Sequence, residues 1–236
     1  TMQYETPWGL PTPVGGYAMA AMRHMHEFGT TSEQLAEVAV AARAWAGLNA
    51  AATHREPLSV SDVLASPMIS DPLHLLDSCL VTDGAGAIVM TTAEHARALG
   101  VQPIYVRGFG ESHTHWSIAN MPDLAWHTAA ERSGRDALRM AGVGLNAIDL
   151  VEIYDSFTIT VLMTLEALGF CGRGESGRFV AESRIAPGGS FPMNTNGGGL
   201  SYAHPGMYGI FLLIEAVRQL RHECGERQVA GASTAL

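Results

Sequence analysis

The chain has 236 residues, with 47% hydrophobic and 16% charged residues and a formal charge of -9. That length and balance fit one large domain or two modest ones and argue against disorder, and the net negative charge argues against binding to nucleic acid or an anionic membrane. All 14 basic residues are Arg and none is Lys, so neither a Schiff-base aldolase nor a P-loop nucleotide hydrolase can be built from this sequence. Apolar runs such as 210–214 are too short for a membrane span, and no signal-peptide pattern opens the chain. Three scattered cysteines (Cys79, Cys171, Cys224) form no CxxC pair, and the ten histidines show no metal-ligand spacing; no metal site is expected, and a cytoplasmic location is.

In chain order, Pro7 to Pro13 reads as an extended loop, and Tyr17 to Phe28 as a helix stopped by Gly29. Thr31 and Gln34 form a capping box for a helix carrying Leu35, Val38, Ala39, Ala42 and Ala46 at helical spacing. Residues 55–71 form a polar connection with a helical turn near Ser61 to Leu64. Residues 85–90 read as a strand, Thr92 to Gly100 as a capped helix, and 104–108 as a second strand. Residues 110–121, with His113, His115 and Trp116, are irregular. Thr128 to Ala141 is a helix ending at Gly142. Residues 148–153 form a third strand, and Phe157 to Leu168 the helix after it. A Gly-rich excursion (172–190) and a glycine loop (194–209) lead to a last helix, Ile210 to Leu220. A further strand begins within 228–236, and on that ground a fragment of a longer chain is expected. The alternation predicts an α/β fold with helices on a mainly parallel sheet.

Three segments carry candidate chemistry. Asp83-Gly84-Ala85-Gly86-Ala87 is a tight turn before a strand of small residues, either a simple feed into the sheet or a place for a ligand against the backbone. Tyr154-Asp155-Ser156-Phe157 lies past the carboxyl end of a strand, where ligands sit in open α/β sheets. Tyr154 can donate a hydrogen bond there. Asp155 can accept a proton, although taken alone it reads better as an N-cap for the next helix. Asn194 to Gly206 holds Gly197, Gly198 and Gly199 in succession, a run whose entropic cost implies a sharp bend or a closely approaching ligand, and His204 stands beside it.

Together these segments resemble the thiolase superfamily, in particular the sterol-carrier-protein type of thiolase and its thiolase-like relatives. Leu165-Glu166-Ala167-Leu168-Gly169-Phe170-Cys171 and Glu215-Ala216-Val217-Arg218-Gln219-Leu220 add to the resemblance. It implies a thiolase-like layered α/β fold incomplete at both ends, with residues 1–100 as the loop domain and last strand of the N-terminal half and residues 101–236 as most of the C-terminal half. It implies that His204 polarises a thioester carbonyl, that Tyr154 takes a position otherwise held by Asn or His, and that Cys79, Asn196, Gly197, Gly198 and Gly199 lie along a bound coenzyme A ester. Coenzyme A would be a co-substrate, with no permanently bound cofactor. The family's nucleophilic cysteine matches none of the three present.

The leading expectation is an acyl-CoA acyltransferase of the thiolase type, with this segment inactive alone. The second is a retro-aldolase cleaving a β-hydroxyacyl-CoA, using Tyr154 or Tyr208 as acid/base and a small zinc- or OB-fold partner. The third is a non-catalytic acyl-CoA- or lipid-binding relative. A homodimer is expected from the resemblance. Trp116 and Trp126 are candidates for an acyl pocket or for core packing.

Overall fold

The computed structural model describes residues 3, 5–10 and 13–236. Thr6–Trp8 is one turn of 3-10 helix where an extended loop was expected; Pro11 and Thr12 of that loop lie outside the described residues. Helix α1 (Val14–Phe28) ends at Gly29, whose φ of 71° lets the amide cap Met25. Helix α2 (Ser32–Gly47) opens with the capping box as read: Thr31 Oγ1 accepts from Gln34 N at 3.3 Å, and Gln34 Oε1 accepts from Thr31 N at 3.1 Å. Helix α3 (Val60–Ala65) is followed by a short antiparallel pair, β1 (Met68–Ser70) with β2 (Leu73–His74).

Helices α4 (Ala93–Ala98), α5 (Thr128–Ala141), α6 (Thr158–Leu168), α7 (Ser176–Val180) and α8 (Gly209–Leu220) complete the helical set. Thr92 and Gly142 stand at the boundaries where sequence placed start and stop signals, and Gly169 caps the end of α6. The 172–190 excursion holds α7, which sequence reading did not resolve as a helix.

The core is built on α6, in which Ile159, Val161, Leu162, Met163 and Leu165 are all buried. Helix α2 packs against it with an alanine face. Small side chains there let backbones come close, which later positions the glycine loop. A buried pair fixes α1 to α6: His24 Nε2 lies 3.2 Å from Glu166 Oε1, and Nδ1 lies 2.8 Å from Thr30 Oγ1. Ser176 of α7 donates to the same carboxylate through its amide and hydroxyl. Burial raises the Glu166 pKa, but the hydrogen bonds from His24 and Ser176 outweigh it and hold the carboxyl below its usual value.

Parallel pairing is concentrated on residues 149–153. Val151 bridges Met193 on one side and Leu150 bridges Ala235 on the other, both parallel. Hydrogen bonds from Asn194 N to Val151 O at 3.0 Å and from Leu236 N to Leu150 O at 3.1 Å extend these contacts. The segments 85–90 and 104–108 depart from expectation. They carry no regular secondary structure and join no ladder among the described residues, and Val89, Met90 and Val106 are exposed. Their glycines explain the seating of one face. A Cβ on Gly86 would meet Ile214 of α8 at 2.6 Å, and one on Gly108 or Gly110 would meet carbonyls of α5 at 2.1 Å. The backbones therefore lie directly on helices, while Val89, Met90 and Val106 are exposed away from that contact.

Leu162 lies fully buried at the middle of α6. Leu162→Ala is expected to lower unfolding free energy by about 2–5 kcal/mol, measured by urea denaturation. An exposed position such as Leu213 should shift it by less than about 0.5 kcal/mol on the same change.

Candidate active site

Residues 150–153 deliver Tyr154 and Asp155 to the end of the parallel pairing, and the 194–208 loop delivers Asn196, the glycines and His204 to the same place. Tyr154 Oη lies 2.8 Å from His204 Nε2, with the two rings edge to face at 5.5 Å. The phenol also donates to the Gly206 carbonyl at 3.0 Å. A phenol has one proton, so it serves Gly206 when His204 Nε2 is protonated and His204 when it is not. Burial lowers the His204 pKa, with backbone hydrogen bonds at His204 and Leu80 opposing it; burial raises that of Tyr154. Near pH 7 the pair is therefore a neutral imidazole beside an un-ionised phenol. α8 begins five residues later, so the lowering of the imidazole is set by burial and not by that helix end.

Asp155 does not cap α6. The N-cap there is Phe157, whose amide donates to the Thr160 hydroxyl oxygen at 3.1 Å. The Asp155 carboxylate is fully buried and accepts from Gly199 N at 2.7 Å and Leu200 N at 3.2 Å. These amides open a single π-type turn, Gly198–Tyr202. Burial raises the Asp155 pKa to about 7, against the lowering effect of the Gly199 and Leu200 amides and of Asn194.

The glycine tract has a packing reason. Gly197 has φ of 105° and sits against Ala46 of α2, where a Cβ would fall 2.6 Å from the alanine Cβ. A Cβ on Gly198 would fall 2.0 Å from Asp155 Oδ2. The close approach inferred from sequence is made by the protein's own carboxylate and helix. Asn196 is buried; its Oδ1 accepts from Gly198 N at 2.8 Å and from the Tyr208 hydroxyl at 2.7 Å. Tyr208 is wholly buried, with its hydroxyl committed to Asn196 and its ring stacked at 6.3 Å from His204.

Cys79 is half-buried at this site, on a segment that stitches the two motifs together. Its amide donates to Ser156 O at 3.0 Å, Leu80 N donates to Gly199 O at 2.9 Å, and Thr82 N donates to His204 O at 3.2 Å. Thr82 Oγ1 accepts from His204 N at 2.9 Å. Burial and the Asp155 charge push the Cys79 thiol up to about 11, so it stays a thiol near neutrality. Cys171 and Cys224 are pushed up to about 12, chiefly by burial.

Several residues that position the site were not singled out from sequence. Asn194 exchanges two hydrogen bonds with the Ile153 backbone, at 2.7 and 2.8 Å. Glu152 accepts from the Thr195 amide, the single-proton Thr195 hydroxyl lies within hydrogen-bond distance of both Glu152 and Glu215, and Glu215 pairs with Arg227 at 2.9 Å. These contacts span about 40 residues or join separate elements, and no local spacing signals them. Trp116 is almost fully exposed, while Trp126 donates to Glu131 and packs under Arg173. Neither tryptophan lines the Tyr154–His204 site. Among the described residues no His, Cys, Asp or Glu cluster is placed to hold a metal ion, and no helix is long and apolar enough to cross a membrane.

With this geometry in view, comparison with known proteins is informative. Residues 110–236 match the family described as Thiolase C-terminal domain-like, and the chain belongs to the thiolase family. It is 38% identical over 231 residues to an acetyl-CoA acetyltransferase of Methanothermobacter thermautotrophicus, covering 98% of this chain and 60% of the relative. It is 39% identical over 223 residues to the 17-hydroxy-3-oxo-4-pregnene-20-carboxyl-CoA lyase of Mycobacterium tuberculosis, covering 92% of this chain and 57% of that one. A solved structure titled Ltp2-ChsH2(DUF35) aldolase superimposes with a TM-score of 0.89 at 32% identity, covering 99% of this chain and 62% of that one. The fold is thiolase-like, and the chain spans about 60% of the length of the curated relatives it matches. Those relatives are thiolase-superfamily enzymes, acyltransferase and lyase alike, and the family resemblance read from the three motifs is correct.

Gly198→Ala is expected to lower stability by about 1–3 kcal/mol, since the residue holds φ of 65° and its Cβ would strike Asp155. Gly188→Ala, also at positive φ but with open space around it, should cost clearly less. Paired urea titrations compare the two.

Proposed function

We propose that the protein to which this chain belongs cleaves a carbon–carbon bond beside a coenzyme A thioester, by retro-aldol fission of a β-hydroxyacyl-CoA. The observation that carries this reading is the contact between the Tyr154 phenol and the His204 imidazole at 2.8 Å. It is an acid/base pair complete within the chain, able to move a proton between substrate, phenol and imidazole without a covalent intermediate. On this reading retro-aldol chemistry ranks above the acyl transfer that the motifs alone favoured.

In the step proposed, the Tyr154 oxygen takes the proton of the substrate β-hydroxyl as its own proton passes to His204 Nε2. The hydroxyl oxygen becomes a carbonyl, the bond between the α and β carbons breaks, and its electron pair moves into the thioester enolate. Return of the proton to the α carbon releases a shorter acyl-CoA and a ketone or aldehyde, with no change in oxidation state overall. Tyr208 serves here by holding Asn196 and stacking on His204, because its buried hydroxyl already has a partner. The similarity to the pregnene-carboxyl-CoA lyase and the aldolase supports this reading. We extend it to coenzyme A esters as substrates, to a role for half-buried Cys79 beside the bound ester with the buried 196–199 tract shaping the site from behind, and to the two-part division near residue 100. A second copy of the chain and a small partner protein complete the proposed assembly; the two-component title of the aldolase structure supports the partner.

The second reading, thiolytic acyl transfer, draws support from the 38% identity to the acetyl-CoA acetyltransferase. The two separate in one assay on the full-length protein. A β-hydroxyacyl-CoA incubated without free coenzyme A should yield a carbonyl product; turnover only of a β-ketoacyl-CoA, and only with free coenzyme A, would establish thiolysis instead. Tyr154→Phe should lower the aldol rate by about a hundredfold or more, and His204→Ala by a similar factor. Because the His204 pKa is lowered, its loss of base function on protonation should fall below pH 6.5.

A further inference from the structure

Glu152, Tyr154 and Asp155 occupy one extended segment, and the two carboxylates grip the loop that carries His204 at separate points. Glu152 Oε1 accepts from Thr195 N at 3.2 Å, and Asp155 accepts from Gly199 N and Leu200 N. Between those grips, Gly198 leaves no space for a side chain against Asp155 Oδ2. Beyond them, Gly199 packs against the His204 ring; a Cβ on Gly199 would meet His204 Cδ2 at 3.2 Å. The Gly199 carbonyl receives Leu80 N from the segment that also binds the His204 backbone through Thr82. The position of the His204 ring relative to Tyr154 thus traces back to two backbone amides held by one buried carboxylate.

We infer that Asp155 is a positioning residue whose ionised carboxylate locks the Gly198–Tyr202 turn, so that protonating it loosens the Tyr154–His204 contact and lowers turnover without weakening substrate binding. The inference rests on the acid/base reading above and assigns pH control to a group that never meets substrate. An ionised carboxylate offers every lone pair to the two converging N–H groups, whereas a carboxylic acid turns one oxygen into a donor. The titratable groups that face Asp155 are Glu152 and Tyr154 on its own segment, Cys79 on the stitching segment, Tyr208 at the start of α8, and His204 beyond Gly199. Burial favours the protonated carboxyl and the Gly199 and Leu200 amides oppose it; the carboxyl loses its proton at about 7.

The test uses the full-length protein and Asp155→Asn, a near-isosteric side chain that stands permanently in place of the protonated acid. In the wild type the acid limb of kcat should lie near pH 7; in the variant that limb should move to lower pH, where only His204 titrates. At pH 8 the variant should lose kcat by about tenfold to a hundredfold with KM little changed. Carbon-13 NMR of labelled histidine reads the site without any assay: the His204 titration midpoint should differ between wild type and variant. Thermal melting provides a third measurement. A carboxyl whose pKa is raised from 3.8 to about 7 in the native state makes stability fall as pH rises through that window, and the variant should lack that part of the slope. An unchanged His204 midpoint together with an unchanged acid limb would overturn the inference even if the enzyme were active. Failure of the wild type to cleave any β-hydroxyacyl-CoA, with the NMR difference present, would remove the proposed reaction and leave the clamp standing. Should Asp155→Asn fail to fold, Gly198→Ala displaces the same carboxylate and is read by the same NMR signal; a native midpoint there would overturn the clamp.

Discussion

Two backbone amides converging on the buried carboxylate of Asp155 are the constraint on which the site depends. The amides belong to a turn that cannot form an ordinary helix, because Gly197 and Gly198 hold positive φ. The carboxylate belongs to the segment paired on both sides by Met193 and Ala235. Joining them brings two motifs separated by some 45 residues to one point, and with them a phenol and an imidazole. The alanine face of α2 is part of the same arrangement, since any larger side chain at Ala46 would displace Gly197.

Such a device carries an energetic cost. Carboxyl groups are taken out of water at Asp155, Glu166 and Glu215, and each is met by several donors or by a cation. Glu152 is treated differently. Burial and the neighbouring Glu215 raise its pKa well above the ordinary range. The Thr195 hydroxyl stands between the two carboxyls, with Gln219 donating to it at 3.0 Å. The polar interior behind the site is therefore a connected network reaching from the 150s segment through the loop to α8 and Arg227, and it holds the loop in place without relying on apolar packing.

The sequence made the helices legible almost to the residue where a cap or a left-handed glycine marked the boundary, as at Thr31, Gly29 and Gly142. It also made the site's location legible, because a strand-end Tyr-Asp and a triple glycine with His are specific in order and spacing. Roles within the site were less legible. Asp155 next to a helix start looks like an N-cap, and only the tertiary fold shows that its partners are Gly199 and Leu200. Tyr208 looks like a free phenol until its burial against Asn196 is known. Thr82, Asn194 and Glu152 gave no signal, since their partners are distant in sequence. For 85–90 and 104–108, an apolar pattern indicates only that a strand has a face to cover, and among the described residues only the glycine-rich face is covered, by α8 and α5.

The central claim is that Tyr154 and His204 work as one unit. A double-mutant cycle on the full-length protein measures this directly, comparing kcat for β-hydroxyacyl-CoA cleavage in Tyr154→Phe, His204→Ala and the double variant. Acting as one unit, the pair gives a double variant hardly slower than either single one, with a coupling of about 1–3 kcal/mol. Losses that simply add in free energy would mean that the two rings act independently, and the account would be wrong.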